Sequence, residues 1–133
     1  FKIEDCKTQR KLDIMGINQA KKIGKLFRDR KVKIDKVLSS QWCRCRDTAK
    51  YAFGDFKEFS ALNSTYTPPY DQNEKQQIED LKKYVNNWNS KGGNLVLVTH
   101  YVIILAITGE TTRSGELVIT DKNFKVLSTI NTF

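Results

Sequence analysis

A chain of 133 residues holds one domain with a single core and is too short for two. With 39% hydrophobic and 29% charged residues, the composition excludes a disordered, collagen-like or coiled-coil chain. The net charge of +8 sits in the first half: residues 1–50 carry 15 Lys/Arg against 6 Asp/Glu, whereas residues 51–133 are nearly balanced. That asymmetry excludes a uniformly basic nucleic-acid coat and leaves a basic face in the first half as a candidate surface.

Residues 1–11 are polar and charged and read as a loop. Asp13 is a fair N-cap for a helix to about Arg30, in which Ile17, Ala20, Ile23, Gly24 and Phe27 form one apolar face and Lys21, Lys22, Lys25 and Arg28 the other. The segment 33–39 reads as a strand leading into Ser39-Ser40, followed by a helix from about Gln41 to Phe53 that Gly54 stops. Residues 56–59 suggest a short strand. The stretch 60–73, with Pro68-Pro69 and no periodic face, predicts an exposed loop.

An amphipathic helix is expected over 74–88 through Ile78, Leu81, Tyr84, Val85 and Trp88. Residues 94–99, NLVLVT, are apolar on both faces, the pattern of a buried parallel strand. A buried helix over 101–108 ends at Gly109, and strands near 116–120 and 124–129 flank the turn Asp121-Lys122-Asn123. This order predicts an α/β fold: a three-layer sandwich with a mostly parallel central sheet and an antiparallel C-terminal edge hairpin.

Cys6, Cys43 and Cys45 are too few for a disulfide framework. Cys43 and Cys45 form C-x-C, which on a helix directs the thiols to nearly opposite sides, and His100 is the only histidine, so no metal site is expected. The apolar run from Leu95 to Thr108 is broken by Thr99-His100-Tyr101 and falls short of a membrane span.

In open α/β sheets, ligands bind where strands end and helices begin. Two segments fit. In one, Arg44 opens a helix after Ser39-Ser40; in the other, His100 opens a helix after Thr99. Free N–H groups and a partial positive charge at a helix start suit an anion such as phosphate, and an arginine adds a bidentate fork. A lone arginine or histidine in such a place is more often a salt-bridged or capping residue. Both together, each after an apolar strand, favour function.

The segment LSSQWCRCRDTA (residues 38–49) resembles a signature of the histidine phosphatase, or phosphoglycerate mutase-like, superfamily, with Ser-Ser, Arg four residues on and Thr-Ala four further. Val96-Leu97-Val98-Thr99-His100 resembles that family's second histidine motif, and Leu12-Asp13-Ile14-Met15-Gly16 its helix entry. Residues 5–10, DCKTQR, and Ser114-Gly115-Glu116 are similar to a short bacterial branch, some of whose members are exported.

The resemblance implies a phosphatase acting on phosphomonoesters or phosphohistidine through a phosphohistidine intermediate. Arg44 and His100 would hold the phosphoryl oxygens as catalytic residues, with Arg44 also binding substrate. It implies no cofactor and no metal. The expected partner is a small phosphorylated substrate or phosphoprotein, with no nucleic acid and no membrane span, and a periplasmic location is favoured over a cytoplasmic one.

Two departures stand out. The family's nucleophilic histidine, in an Arg-His-Gly motif ending a first strand, is absent, which leads to the expectation of a single domain over 1–133 lacking its first strand upstream of Phe1. The mutase-type Leu-Asn-Glu acid is also missing, since Leu62-Asn63 is followed by Ser64; Glu58, Asp71 and Glu74 are the nearby carboxylates. The alternative function is a catalytically inactive domain that binds a phosphate-rich ligand or nucleic acid through the basic first half.

Overall fold

The computed structural model describes residues 1–132. Asp13 accepts a hydrogen bond from the Gly16 amide at 2.8 Å and so caps α1 (Ile14–Asp29). β1 (Ile34–Ser39) leads into α2 (Cys43–Phe53), which Gly54 ends at a positive φ of 82°. β2 (Lys57–Glu58), α3 (Glu74–Asn87), β3 (Asn94–Val98) and α4 (Tyr101–Thr108) follow, then β4 (Leu117–Thr120) and β5 (Val126–Ile130).

β2, β1 and β3 form a parallel sheet in that order, with Val37 opposite Val96, Leu38 opposite Leu97 and Ser39 opposite Val98. Successive side chains of a strand face opposite ways, and β1 uses both faces. Leu38 joins Ala61, Leu62, Leu81, Val85 and Ile103 in a buried cluster built with α3 and α4. On the other side α2 packs against β1, and α1 packs on α2. The result is an α/β arrangement with helices on both sides of the sheet. β4 and β5 pair antiparallel around a turn in which Asp121 Oδ1 accepts from the Asn123 and Lys125 amides; they form a sheet of their own.

Three expectations change. β3 is half-buried rather than buried, because it lies at the sheet edge, with a hydrogen-bonded strand on one side only among the described residues. Beside that edge runs a groove of about 570 Å³, walled by Leu95 and Leu97 of β3, Ile104 of α4, Leu117 and Ile119 of β4, and Phe124. For the same reason α4 buries only Ile103 fully, and Tyr101 and Leu105 are exposed.

The third change concerns the loop 60–73: residues 61–65 are buried. Irregular backbone can be buried only if its polar groups find partners. Here Gln77 Nε2 donates to the carbonyls of Ala61 and Asn63, and Thr99 Oγ1 donates to that of Leu62.

Cys6 and Cys43 form a disulfide across a separation of 37 residues, leaving Cys45 as a buried free thiol. The count of three cysteines correctly excludes a framework of bridges, but it does not reveal this single one. Cys43 and Cys45 do serve different sides of α2, as their spacing requires.

Candidate anion site at the ends of β1 and β3

β1 and β3 run parallel and in register, so both reach their carboxyl ends at one edge of the sheet. The ladder continues one step further, where the Ser40 amide donates to the Val98 carbonyl at 2.9 Å. The chain then turns into α2 on one strand and α4 on the other. Arg44 lies in the first turn of α2, and His100 is the N-cap residue of α4. Parallel pairing therefore brings together two residues 56 positions apart: Arg44 Nη2 lies 3.4 Å from His100 Nδ1.

The two residues share a cavity of about 410 Å³ whose wall also includes Cys45, Ser64, Tyr66 and Arg113. α1 contributes Gly16, Gln19, Ala20 and Ile23 to the same wall. Its exposed Lys21, Lys22, Lys25 and Arg28 therefore lie on the face turned away from the cavity. Glu58, Asp71 and Glu74 are not in the wall, and Glu58 instead faces Arg46 at 3.9 Å. Glu116 is the one carboxylate among the lining residues.

His100 is buried, with 7% of its surface exposed. Its Nε2 lies 2.8 Å from Ser40 Oγ and 3.6 Å from Cys45 Sγ, and its ring packs edge-on against Trp42 at 5.4 Å. Burial first, and the Arg44 guanidinium second, push His100 down to about 3, so the imidazole is neutral at ordinary pH. Burial likewise pushes the Cys45 thiol up to about 12, which keeps it protonated and unreactive. The Thr99 carbonyl lies 3.7 Å from its sulfur, within reach of the thiol hydrogen.

Beneath the imidazole lies a polar network. Ser40 Oγ accepts from the Trp42 amide at 3.1 Å and donates to Asn63 Oδ1 at 3.3 Å. Asn63 Oδ1 also accepts from the Gln41 amide, and Asn63 Nδ2 donates to Gln41 Oε1. Gln9 closes the other side: its Oε1 accepts from the Cys43 amide at 2.8 Å, while its Nε2 donates to the carbonyls of Lys2 and Ile3. Trp42, the N-cap residue of α2, offers no side-chain cap, so Gln9 and the disulfide together tie the N-terminal segment to the start of the helix that carries Arg44.

Arg44 and His100 were readable from the chain, and they converge. Asn63 and Gln9 were not, because a polar residue in an aperiodic segment carries no sign of a distant partner. Among the described residues, no three His, Cys, Asp or Glu side chains group as a metal site would require. No described helix is long and apolar enough to cross a membrane. No known family model matches the chain, and no curated protein matches it by sequence.

Proposed function

We propose that this chain carries the phosphate-holding half of a phosphatase site of the histidine phosphatase kind, which hydrolyses phosphomonoesters or phosphohistidine through a phosphohistidine. The observation that carries the reading is the convergence of Arg44 and His100 on one cavity at the carboxyl ends of two parallel strands. Arg44 would grip two phosphoryl oxygens, and His100, once protonated, would donate to a third, so that both stabilise the charge of the transition state. Neither residue is the nucleophile in this reading. The nucleophilic histidine would arrive on a further strand, and the apolar groove along the open edge of β3 has the wall such a strand needs.

The Cys6–Cys43 disulfide supports an oxidising compartment, in keeping with the exported relatives the sequence resembles. The alternative, an inactive domain that binds a phosphate-rich ligand or nucleic acid through the basic first half, would share Arg44 with this cavity but would otherwise use the cationic face of α1, which lies on its far side.

The test is turnover of p-nitrophenyl phosphate by a chain extended upstream with a strand ending in Arg-His-Gly. Arg44→Ala and His100→Ala are expected to lower kcat/KM by about a hundredfold or more. Turnover by a folded His100→Ala protein at the parent rate overturns the assignment.

A further inference from the structure

We propose that Ser40 and Asn63 are positioning residues that hold the imidazole of His100 as the Nε2–H tautomer, with its Nδ1 lone pair turned to Arg44. The argument is one of donor and acceptor balance. A guanidinium has only N–H groups to offer, so the ring atom it approaches at 3.4 Å must be the acceptor. In a neutral imidazole the other nitrogen then carries the hydrogen, and Nε2–H points at Ser40 Oγ, 2.8 Å away.

Ser40 has two lone pairs and one hydrogen. The lone pairs receive Nε2–H and the Trp42 amide, so its own hydrogen turns away from both, toward the amide oxygen of Asn63 in preference to the weakly accepting sulfur of Cys45. Asn63 Oδ1 lies at 3.3 Å. The orientation of the Asn63 amide is fixed in turn, since the Gln41 amide N–H at 2.8 Å demands the oxygen at that place and Gln41 Oε1 at 2.9 Å demands the nitrogen at the other.

The opposite tautomer breaks this balance twice. Nδ1–H would face a guanidinium N–H, and Asn63 Oδ1 would lose one of its two donors. Such mismatches are costly in a buried place, and Ser40 has no exposed surface. Cys45 does not reverse this balance: its sulfur, 3.6 Å from Nε2, is a weak acceptor that suits the same Nε2–H tautomer, and its own hydrogen has the Thr99 carbonyl within reach at 3.7 Å.

The tautomer follows from these contacts alone, but its use in anion binding rests on the function proposed above. It means that the ring meets an incoming anion with a lone pair and can become a donor at Nδ1 only by taking up a proton, while Ser40 keeps holding Nε2–H.

Because His100 is the only histidine, long-range proton–nitrogen NMR of the ring-labelled protein reads a single imidazole. The expected spectrum has a pyrrole-like Nε2 and a pyridine-like Nδ1. Asn63→Ala frees the Ser40 hydrogen to turn toward Nε2 and should move both shifts toward a mixture. Asn63→Asp keeps the Oδ1 acceptor for Ser40 and the Gln41 amide, while Gln41 turns its side-chain amide to face the second carboxylate oxygen. Read well above neutral pH, where the added charge does not protonate the ring, it should retain the parent pattern, which a change in packing alone would not arrange. A parent spectrum with a protonated Nδ1, or unchanged shifts in folded Asn63→Ala, overturns the proposal. If Asn63→Ala fails to fold, the parent spectrum and Asn63→Asp still decide it. Inorganic phosphate added to the parent protein tests the separate question: unmoved Nδ1 shifts reject the anion site and leave the tautomer assignment standing.

Discussion

Nδ1 of His100 faces Nη2 of Arg44 at 3.4 Å, so the two groups best placed to bind an anion are in contact with each other across the cavity wall. Anion binding must open this contact. An anion oxygen beside the Nδ1 lone pair is repelled until the ring is protonated, so binding should draw His100 upward from about 3 toward the usual histidine range near ~6.5. Sulfate is the cleanest probe, because it keeps its charge throughout this range. Its affinity should rise as pH falls, by up to about tenfold per unit where one proton is taken up. The other titratable group against the ring, the Cys45 thiol, stays neutral throughout. Calorimetry in two buffers of different ionisation enthalpy would measure the proton uptake. In His100→Gln the dependence above about pH 5 should vanish; its persistence there would assign the proton elsewhere.

The same low value makes a statement about folding. Buried first, and beside Arg44 second, His100 takes up its proton at about 3 in the folded chain but near ~6.5 in the unfolded one. Between these values the unfolded chain binds the additional proton. The stability gained by keeping the ring neutral is therefore complete above about pH 6.5 and is lost as pH falls toward 3, at up to about 1.4 kcal/mol per unit. Urea unfolding at pH 7 and pH 5 should differ by about 2 kcal/mol from this residue, and the difference should disappear in His100→Gln. Asp35 acts in a lower window. Its hydrogen bond from the Lys91 amide holds its carboxyl below the usual range, and the benefit is lost only as pH falls through the carboxylate values.

These two predictions rest on residues that could be found in the sequence, and the reason is local. Arg44 and His100 each follow an apolar strand, and parallel pairing then forces their meeting. The helices were legible for the same reason: Asp13, Gly54 and Gly109 mark their ends by backbone chemistry confined to a few residues. Residues 61–65 were misread because their burial depends on Gln77 and Thr99, which lie far along the chain and leave no periodic trace. Asn63 fell within that segment, so the network under His100 stayed hidden. The half-burial of β3 has a similar origin: its composition records an apolar environment, but not whether a strand lies on each side.

Cys6 and Cys43 make a prediction about chemistry as well as stability. Closing a loop of this separation, 37 residues, is worth about 4 kcal/mol by chain entropy, and measured bridges fall nearer 2–4. Cys6→Ser should lower the unfolding free energy within that range and loosen the start of α2, where Gln9 caps the Cys43 amide. Thiol titration is the direct check. The native protein should react slowly, since Cys45 is buried; the denatured, unreduced protein should show one thiol, and the reduced protein all three. Three thiols without reductant would contradict the bridge.

Gly24 decides how closely α1 lies on α2. A Cβ placed there would overlap the backbone carbonyl of Ala52, an atom that cannot step aside as a flexible side chain can. Ala20, Ala49 and Ala52 are each almost fully buried in the same region, so small side chains let the two backbones approach. In an exposed helix, Gly→Ala gains about 0.5–1 kcal/mol. Gly24→Ala should reverse that sign and cost about 1–3 kcal/mol, because the helices must separate to admit the methyl group. Asn18→Ala, at an exposed position of the same helix, should be neutral or slightly stabilising and serves as the control. The substitution also bears on the site, since α2 carries Arg44 while α1 supplies Gln19, Ala20 and Ile23 to the cavity wall. Sulfate affinity in Gly24→Ala should fall further than the loss of folded protein explains. An unchanged affinity in the folded fraction would mean that the α1–α2 contact supports the fold without setting the position of Arg44.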